Sequence, residues 1–274
     1  MNWRDFRKWL ERNFSYTYAK DVYNYSRKYY EVLLSKDASV LLTLKDSVRK
    51  SVMASLSNLG KYLGIYKEWK TLVENYGLKW SEGKTEDIII SRITNTDKHG
   101  CVIKWLHTVK LKIPKLSVFM DFMLISGLRY REAVNSYNLI IDLAKEERLS
   151  EYYDTEKEVL EHYRFKKLFI RRSKKAFISF IPKAFIEKIS KKERLTRFQI
   201  NNWIKRTGFK SRFSDIREYY STYMTEWLRQ PEIDFLQGRV SANVFMKNYF
   251  NPALIGDLRT RAFQGIQAIQ KKVS

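Results

Sequence analysis

Three arginines and one tyrosine are spaced for work on a phosphodiester. Arg129 stands in Ser126-Gly127-Leu128-Arg129-Tyr130-Arg131-Glu132-Ala133, just beyond a helix stop. Arg217 stands in Ser214-Asp215-Ile216-Arg217, inside an otherwise apolar and aromatic run that includes Phe213, Tyr219 and Tyr220. Arg239 closes the tight turn Leu236-Gln237-Gly238-Arg239, and Tyr249 follows ten residues later, flanked by Asn248 and Asn251-Pro252. Planar guanidiniums grip phosphate oxygens in pairs, and a phenol can attack the phosphorus. A guanidinium among apolar neighbours demands an anionic partner. Asp215, two residues before Arg217, does not share its helical face. A bound phosphate meets the demand; an ion pair to Glu218 or Glu132 is the plainer alternative.

A basic segment surrounds these positions. Residues 164–217 hold 18 Lys/Arg against three acids, Glu187, Glu193 and Asp215. That accounts for most of the formal net charge of +22. Such a field implies a polyanionic partner, nucleic acid above all. Phe165–Ile170 and Ala176–Ile181 are apolar and β-prone, which predicts a hairpin with Arg171, Arg172, Lys174 and Lys175 at its tip. A lysine there can reach into a groove and protonate a leaving oxygen. Plain phosphate contact is the alternative, and all four cations compete for the role. Lys191, Lys192 and Arg194 form a further basic cluster suited to phosphate.

The elements that must position these groups are mostly helical. Only ten Gly and four Pro punctuate 274 residues. The patterns predict helices over 1–12, 17–35, 38–60 and 64–76, the third marked by Val40, Leu41, Leu44, Val48, Val52, Leu56 and Leu59. Periodicity lapses over 77–97, with a short strand expected at Ile88-Ile89-Ile90. Further helices are expected over 97–111, 116–125, 183–190, 196–206, 214–229 and 231–236. A last one spans 252–273, with Ile255, Leu258, Ala262, Ile266, Ile269 and Val273 on one face. That face can pack on its own domain or dock on a neighbouring copy. The fold class is mainly α with a small antiparallel β-sheet (α+β). Residues 1–80 are expected to form a helical domain, 81–96 a linker, and 97–274 the domain that carries the chemistry.

The order of the boxes resembles the catalytic domain of tyrosine recombinases, the phage-type integrases, and most of all their archaeal, virus- and plasmid-encoded branch. Ser-Gly-Leu-Arg-x-x-Glu-Ala looks like the first-arginine box, and residues 173–182 look like the lysine hairpin. The resemblance implies a site-specific recombinase that cuts and rejoins double-stranded DNA through a 3′-phosphotyrosine, the alternatives being a type IB topoisomerase-like enzyme or a catalytically inactive DNA-binding accessory protein of the same fold. It implies catalytic roles for Arg129, Lys174, Ser214, Arg217, Arg239 and Tyr249, with Lys174 favoured over Lys175 by its distance from Pro182. It also implies a DNA-binding helical domain at the front and a tetramer in the synaptic complex. Ser214 and Arg239 stand where the family usually has histidines; a hydroxyl can donate to phosphate but cannot act as an imidazolium. The ten-residue step from Arg239 to Tyr249 is one longer than in bacterial and phage members.

Other classes find little support. Cys101 is the single cysteine, so no internal disulfide is possible, and His99, His107 and His162 show no metal-ligand spacing. No cofactor is expected, because one phosphodiester is exchanged for another. No apolar run is long enough for a signal peptide or a membrane span, so an intracellular protein is expected.

Overall fold

The computed structural model describes residues 1–80, 85–94, 98–171, 174–210, 212–240, 248 and 250–272. The chain divides into two compact units, Met1–Asn95 and Thr96–Ser274.

The first unit is helical: α1 Trp3–Asn13, α2 Tyr16–Tyr29, α3 Glu31–Ser35, α4 Ser39–Leu42, α5 Asp46–Leu63, α6 Tyr66–Asn75 and α7 Thr85–Thr94. α2 lies along α5, and the core gathers Phe6, Leu10, Val22, Met53, Leu56, Leu59 and Trp69. The buried Trp69 indole donates to Ser57 Oγ at 2.8 Å, so its one polar atom is satisfied. The helix expected over 38–60 is two helices. Lys45 takes an extended step (ψ 140°), and Asp46 then supplies an acid for a fresh N-terminal turn. Ile88-Ile89-Ile90 are helical in α7 rather than a strand. Glu86 and Asp87 suit a helix start, and β-branched residues lose only tenths of a kcal/mol in a helix, roughly 0.5 each. Ile89, Ile90 and Ile93 are exposed on it.

The second unit is built around one buried helix. Its helices are α8 Lys98–Lys112, α9 Ser117–Ser126, α10 Tyr130–Lys145, α11 Lys166–Phe169, α12 Lys183–Ser190, α13 Arg197–Arg206, α14 Phe213–Tyr223, α15 Gln230–Leu236 and α16 Leu258–Lys271. α9 is apolar nearly all round, with Phe119, Met120, Phe122, Met123, Leu124 and Ile125 buried, as a central helix should be. α8, α10, α14 and α16 pack against it. α16 turns Leu258, Ala262, Ile266 and Ile269 into this core, so its apolar face is occupied within its own unit. Val273, expected on that face, lies outside the described residues.

Three two-residue strands, β1 Tyr153–Asp154, β2 Val159–Leu160 and β3 Ser179–Phe180, form an antiparallel sheet in the order β1-β2-β3. Tyr153 faces Leu160, and Leu160 faces Ser179. The sheet is joined to α10 by a buried polar chain. The Tyr152 hydroxyl donates to Ser136 Oγ at 2.8 Å and lies 2.6 Å from His162 Nδ1, while His162 Nε2 lies 2.9 Å from Ser179 Oγ. Burial pushes the His162 pKa down to about 3, so the ring is neutral.

The expected hairpin arm Phe165–Ile170 is mostly helical: His162–Phe165 make a 3₁₀ turn and Lys166–Phe169 make α11. Phe165 and Phe169, four apart, both pack on the Tyr152 ring, and that spacing needs a helical turn. Val159–Leu160 pairs with β3 in place of this arm. Among the described residues the hairpin keeps an antiparallel bridge, Ile170 opposite Lys175, and backbone bonds from Ala176 to Phe169 and from Arg171 to Lys174.

Candidate active site

α9 ends at Gly127, whose φ of +61° is left-handed. A Cβ there would lie 2.6 Å from the Tyr220 ring, so the turn has no room for a side chain. The turn delivers Arg129 to the N-cap of α10. Glu132, three residues on and wholly buried, accepts from the Arg129 backbone N–H at 3.3 Å and from Arg129 Nη1 at 3.2 Å. The same carboxylate accepts from Arg171 Nη2 at 2.9 Å. Arg129 Nη1 also donates to the Lys175 carbonyl at 3.2 Å.

Arg217 sits one helical turn into α14. Its Nη1 donates to the Gly127 carbonyl at 2.8 Å and its Nη2 to the Gln237 carbonyl at 2.6 Å. Gln237 returns a bond from Nε2 to the Arg217 carbonyl at 3.1 Å. Arg217 therefore fastens α14 to the turn before Arg129 and to the turn before Arg239. Its pKa is pulled down to about 9, first by burial and then by the charges of Arg129 and Arg239. The guanidinium still carries its charge at neutral pH. Positive charge concentrated beyond its local counter-charge is the electrostatic profile of an anion site.

Arg239 follows Gly238, whose φ is +63°. A Cβ on Gly238 would fall 1.7 Å from the Lys175 carbonyl oxygen. The turn carrying Arg239 is thus pressed against the hairpin base. The Arg239 side chain is 44% exposed, with Asp234 Oδ1 at 3.7 Å, a separation that leaves the guanidinium accessible.

Ser214 lies in the first turn of α14, three residues before Arg217, and is exposed. Its hydroxyl donates to Asp215 Oδ1 at 3.3 Å, and Arg212 Nε donates to Asp215 Oδ2 at 2.8 Å. Lys174 is exposed and Lys175 half-buried. Lys191 and Lys192 are exposed, whereas Arg194 is ion-paired with Asp142. Arg171 points to Glu132. Arg172 and Tyr249 lie outside the described residues. The residue after Tyr249 is placed: Phe250 packs on Phe235 of α15, ring centres 5.7 Å apart. Tyr219 and Tyr220 are buried core rings with raised pKa values, chiefly from burial, which makes them poor nucleophiles.

The structure brings the segments that carry Arg129, Arg217 and Arg239 together through the carbonyls of Gly127 and Gln237. The sequence reading missed Glu132 as the buried anchor of two arginines. Its signal was the acid at the third position after an N-cap. The carbonyls of Gly127, Lys175 and Gln237 left no sequence signal at all.

Comparison with known proteins adds one finding. Residues 95–261, more than half of the chain, match the family model for archaeal phage integrases. No curated protein matches the chain, and no solved structure does. The matched span contains Arg129, Lys174, Arg217, Arg239 and Tyr249, and with it comes an integrase function in DNA recombination. The chain belongs to the archaeal phage integrase family.

Proposed function

We propose that this integrase is a tyrosine site-specific recombinase acting on double-stranded DNA through a 3′-phosphotyrosine. The observation that carries the reading is the Arg217 guanidinium, bound to the carbonyls of Gly127 and Gln237. Those bonds draw the three arginine boxes together around one anion-seeking centre. Arg129, Arg217 and Arg239 hold the scissile phosphate as charge builds on it, the largest part of such catalysis. The Tyr249 phenol loses its proton to solvent and forms a bond to phosphorus. The bond from phosphorus to the 5′ oxygen breaks, and that oxygen takes a proton from the Lys174 ammonium. Ser214 donates to a phosphate oxygen. A 5′ hydroxyl from a second strand then attacks the phosphotyrosine in the reverse sense.

The helical first unit is assigned to grip the duplex, with Lys191 and Lys192 adding phosphate contacts in the second. Four protomers on two duplexes complete strand exchange. Among the described residues no helix is long and apolar enough to cross a membrane.

The test is covalent capture. Nicked duplexes from a random-sequence pool lose the strand end beyond the cut and trap the intermediate. The reading expects a detergent-resistant protein–DNA adduct with a free 5′ hydroxyl on the released strand. An adduct through a 5′ phosphate, or none from any sequence, contradicts it. Exchange between two captured sites then separates a recombinase from a topoisomerase of similar chemistry.

A further inference from the structure

The base of the basic hairpin is closed by a ring of contacts. On its first arm Arg171 Nη2 donates to Glu132 Oε1 at 2.9 Å. Glu132, wholly buried, also holds Arg129 at 3.2 Å. Arg129 in turn donates to the Lys175 carbonyl on the second arm, again at 3.2 Å. The arms meet through the Ile170–Lys175 bridge and through the Arg171 N–H, which donates to the Lys174 carbonyl at 3.0 Å. Gly238 also abuts the Lys175 carbonyl. The Lys174 and Lys175 carbonyls are thereby tied to Arg171 and Arg129, while the Lys174 side chain is exposed.

We propose that Arg171 is a positioning residue for Lys174 rather than a DNA phosphate contact. By holding the first arm on Glu132, it sets where the tip presents the Lys174 ammonium to the leaving 5′ oxygen. The inference rests on the phosphotyrosine reading above. Its physical basis is the cost of the alternative. An Arg171 turned toward DNA withdraws one of the two cations facing a fully buried carboxylate, and an under-compensated buried charge is strongly unfavourable. Among the described residues Lys174 has no such tie. An arginine also suits the post better than a lysine, because its planar fork is pre-organised and weakly hydrated.

The experiment uses a suicide duplex selected by covalent capture with the unaltered protein. It is made once with the ordinary bridging oxygen and once with a 5′-phosphorothiolate, whose sulfur leaves without needing a proton. Arg171→Ala is expected to cleave the ordinary duplex roughly 10- to 100-fold more slowly, a loss on the scale of general-acid catalysis. The thiolate should restore most of that rate, as it should for Lys174→Ala but not for Arg217→Ala. The salt dependence of DNA binding should stay unchanged, whereas a lost phosphate contact flattens it by about 0.9. Should Arg171→Ala fold poorly, Arg171→Lys keeps the charge and should show a smaller defect with the same rescue. A flattened salt slope, or no thiolate rescue of either Arg171 variant while Lys174→Ala is rescued, overturns the positioning role alone. Failure to rescue Lys174→Ala removes the general acid and the positioning role with it. No adduct from the unaltered protein removes the phosphotyrosine reading and both dependent roles.

Discussion

The Arg217 guanidinium donates to the backbone carbonyl of Gly127, 2.8 Å away and 90 residues earlier in the chain. Gly127 is held at a positive φ under the Tyr220 ring, and two residues later comes Arg129. One hydrogen bond thus makes the placement of the two arginines proposed to hold the phosphate interdependent. With its second bond to Gln237, Arg217 extends that dependence to the Arg239 turn.

This geometry makes Arg217 intolerant even of lysine. A compact ammonium cannot span two carbonyls and a phosphate as a planar fork does. Arg217→Lys and Arg217→Ala should each slow single-turnover cleavage by about 100-fold or more, the scale of a lost donor to developing charge. DNA affinity should fall only a few-fold, because the basic segment supplies many other contacts. Parallel losses in binding and cleavage would reduce Arg217 to an anchor.

Gly238→Ala is the corresponding backbone test. The left-handed conformation alone costs an L side chain about 1–2 kcal/mol. The added methyl also meets the Lys175 carbonyl, so the hairpin base or the Arg239 turn must move. We expect a lower melting temperature and a cleavage defect larger than that of Gly208→Ala, where φ is +75° but the added methyl meets nothing within 4 Å. Equal behaviour of the two variants would show that the close approach does not matter.

How legible was this in the sequence? The arginine boxes were: Arg129 and Arg239 follow glycines where the chain turns, and Arg217 stands out as a cation in an apolar and aromatic run. The central helix α9 and the boundaries of α12 were legible from apolar runs and flanking Pro and Ser. The hairpin's first arm was not, because Phe165 and Phe169 satisfy a helical spacing only once Tyr152 lies beneath them. The break at Lys45 and the helical Ile88-Ile89-Ile90 were missed for a related reason: local propensity is weak next to tertiary packing. Glu132 entered the sequence reading as an alternative partner for Arg217; the fold shows it wholly buried and paired with Arg129 and Arg171.

His162 predicts an acid sensitivity. In the unfolded chain its imidazole protonates near pH 6.5, whereas in the buried network it resists protonation to about 3. Between those values the unfolded state binds more protons, so stability falls as pH falls. The slope from this one group is at most about 1.4 kcal/mol per pH unit. Denaturant melts at pH 7 and pH 4.5 should show the second unit losing stability. His162→Gln, weaker at pH 7, should lose less on acidification. An unchanged pH dependence in that variant would place the sensitivity elsewhere.

The basic surface predicts a graded salt effect. Lys191 and Lys192 are exposed, and each phosphate contact contributes about −0.9 to the slope of log affinity against log salt. The Lys191→Ala/Lys192→Ala protein should therefore show a slope flatter by up to about two units. Arg194→Ala should change it less, because Asp142 already neutralises that guanidinium. A larger effect from Arg194 than from the two lysines would reverse the assignment of the DNA path.

The central claim is that Tyr249 becomes joined to the DNA 3′ phosphate. Mass-spectrometric mapping of the DNA-linked peptide from a suicide duplex reads this directly. The account predicts a nucleotide on the peptide containing Tyr249, and loss of the adduct in Tyr249→Phe with DNA binding nearly unchanged. A nucleotide mapped to another residue, or an undiminished adduct in Tyr249→Phe, contradicts it.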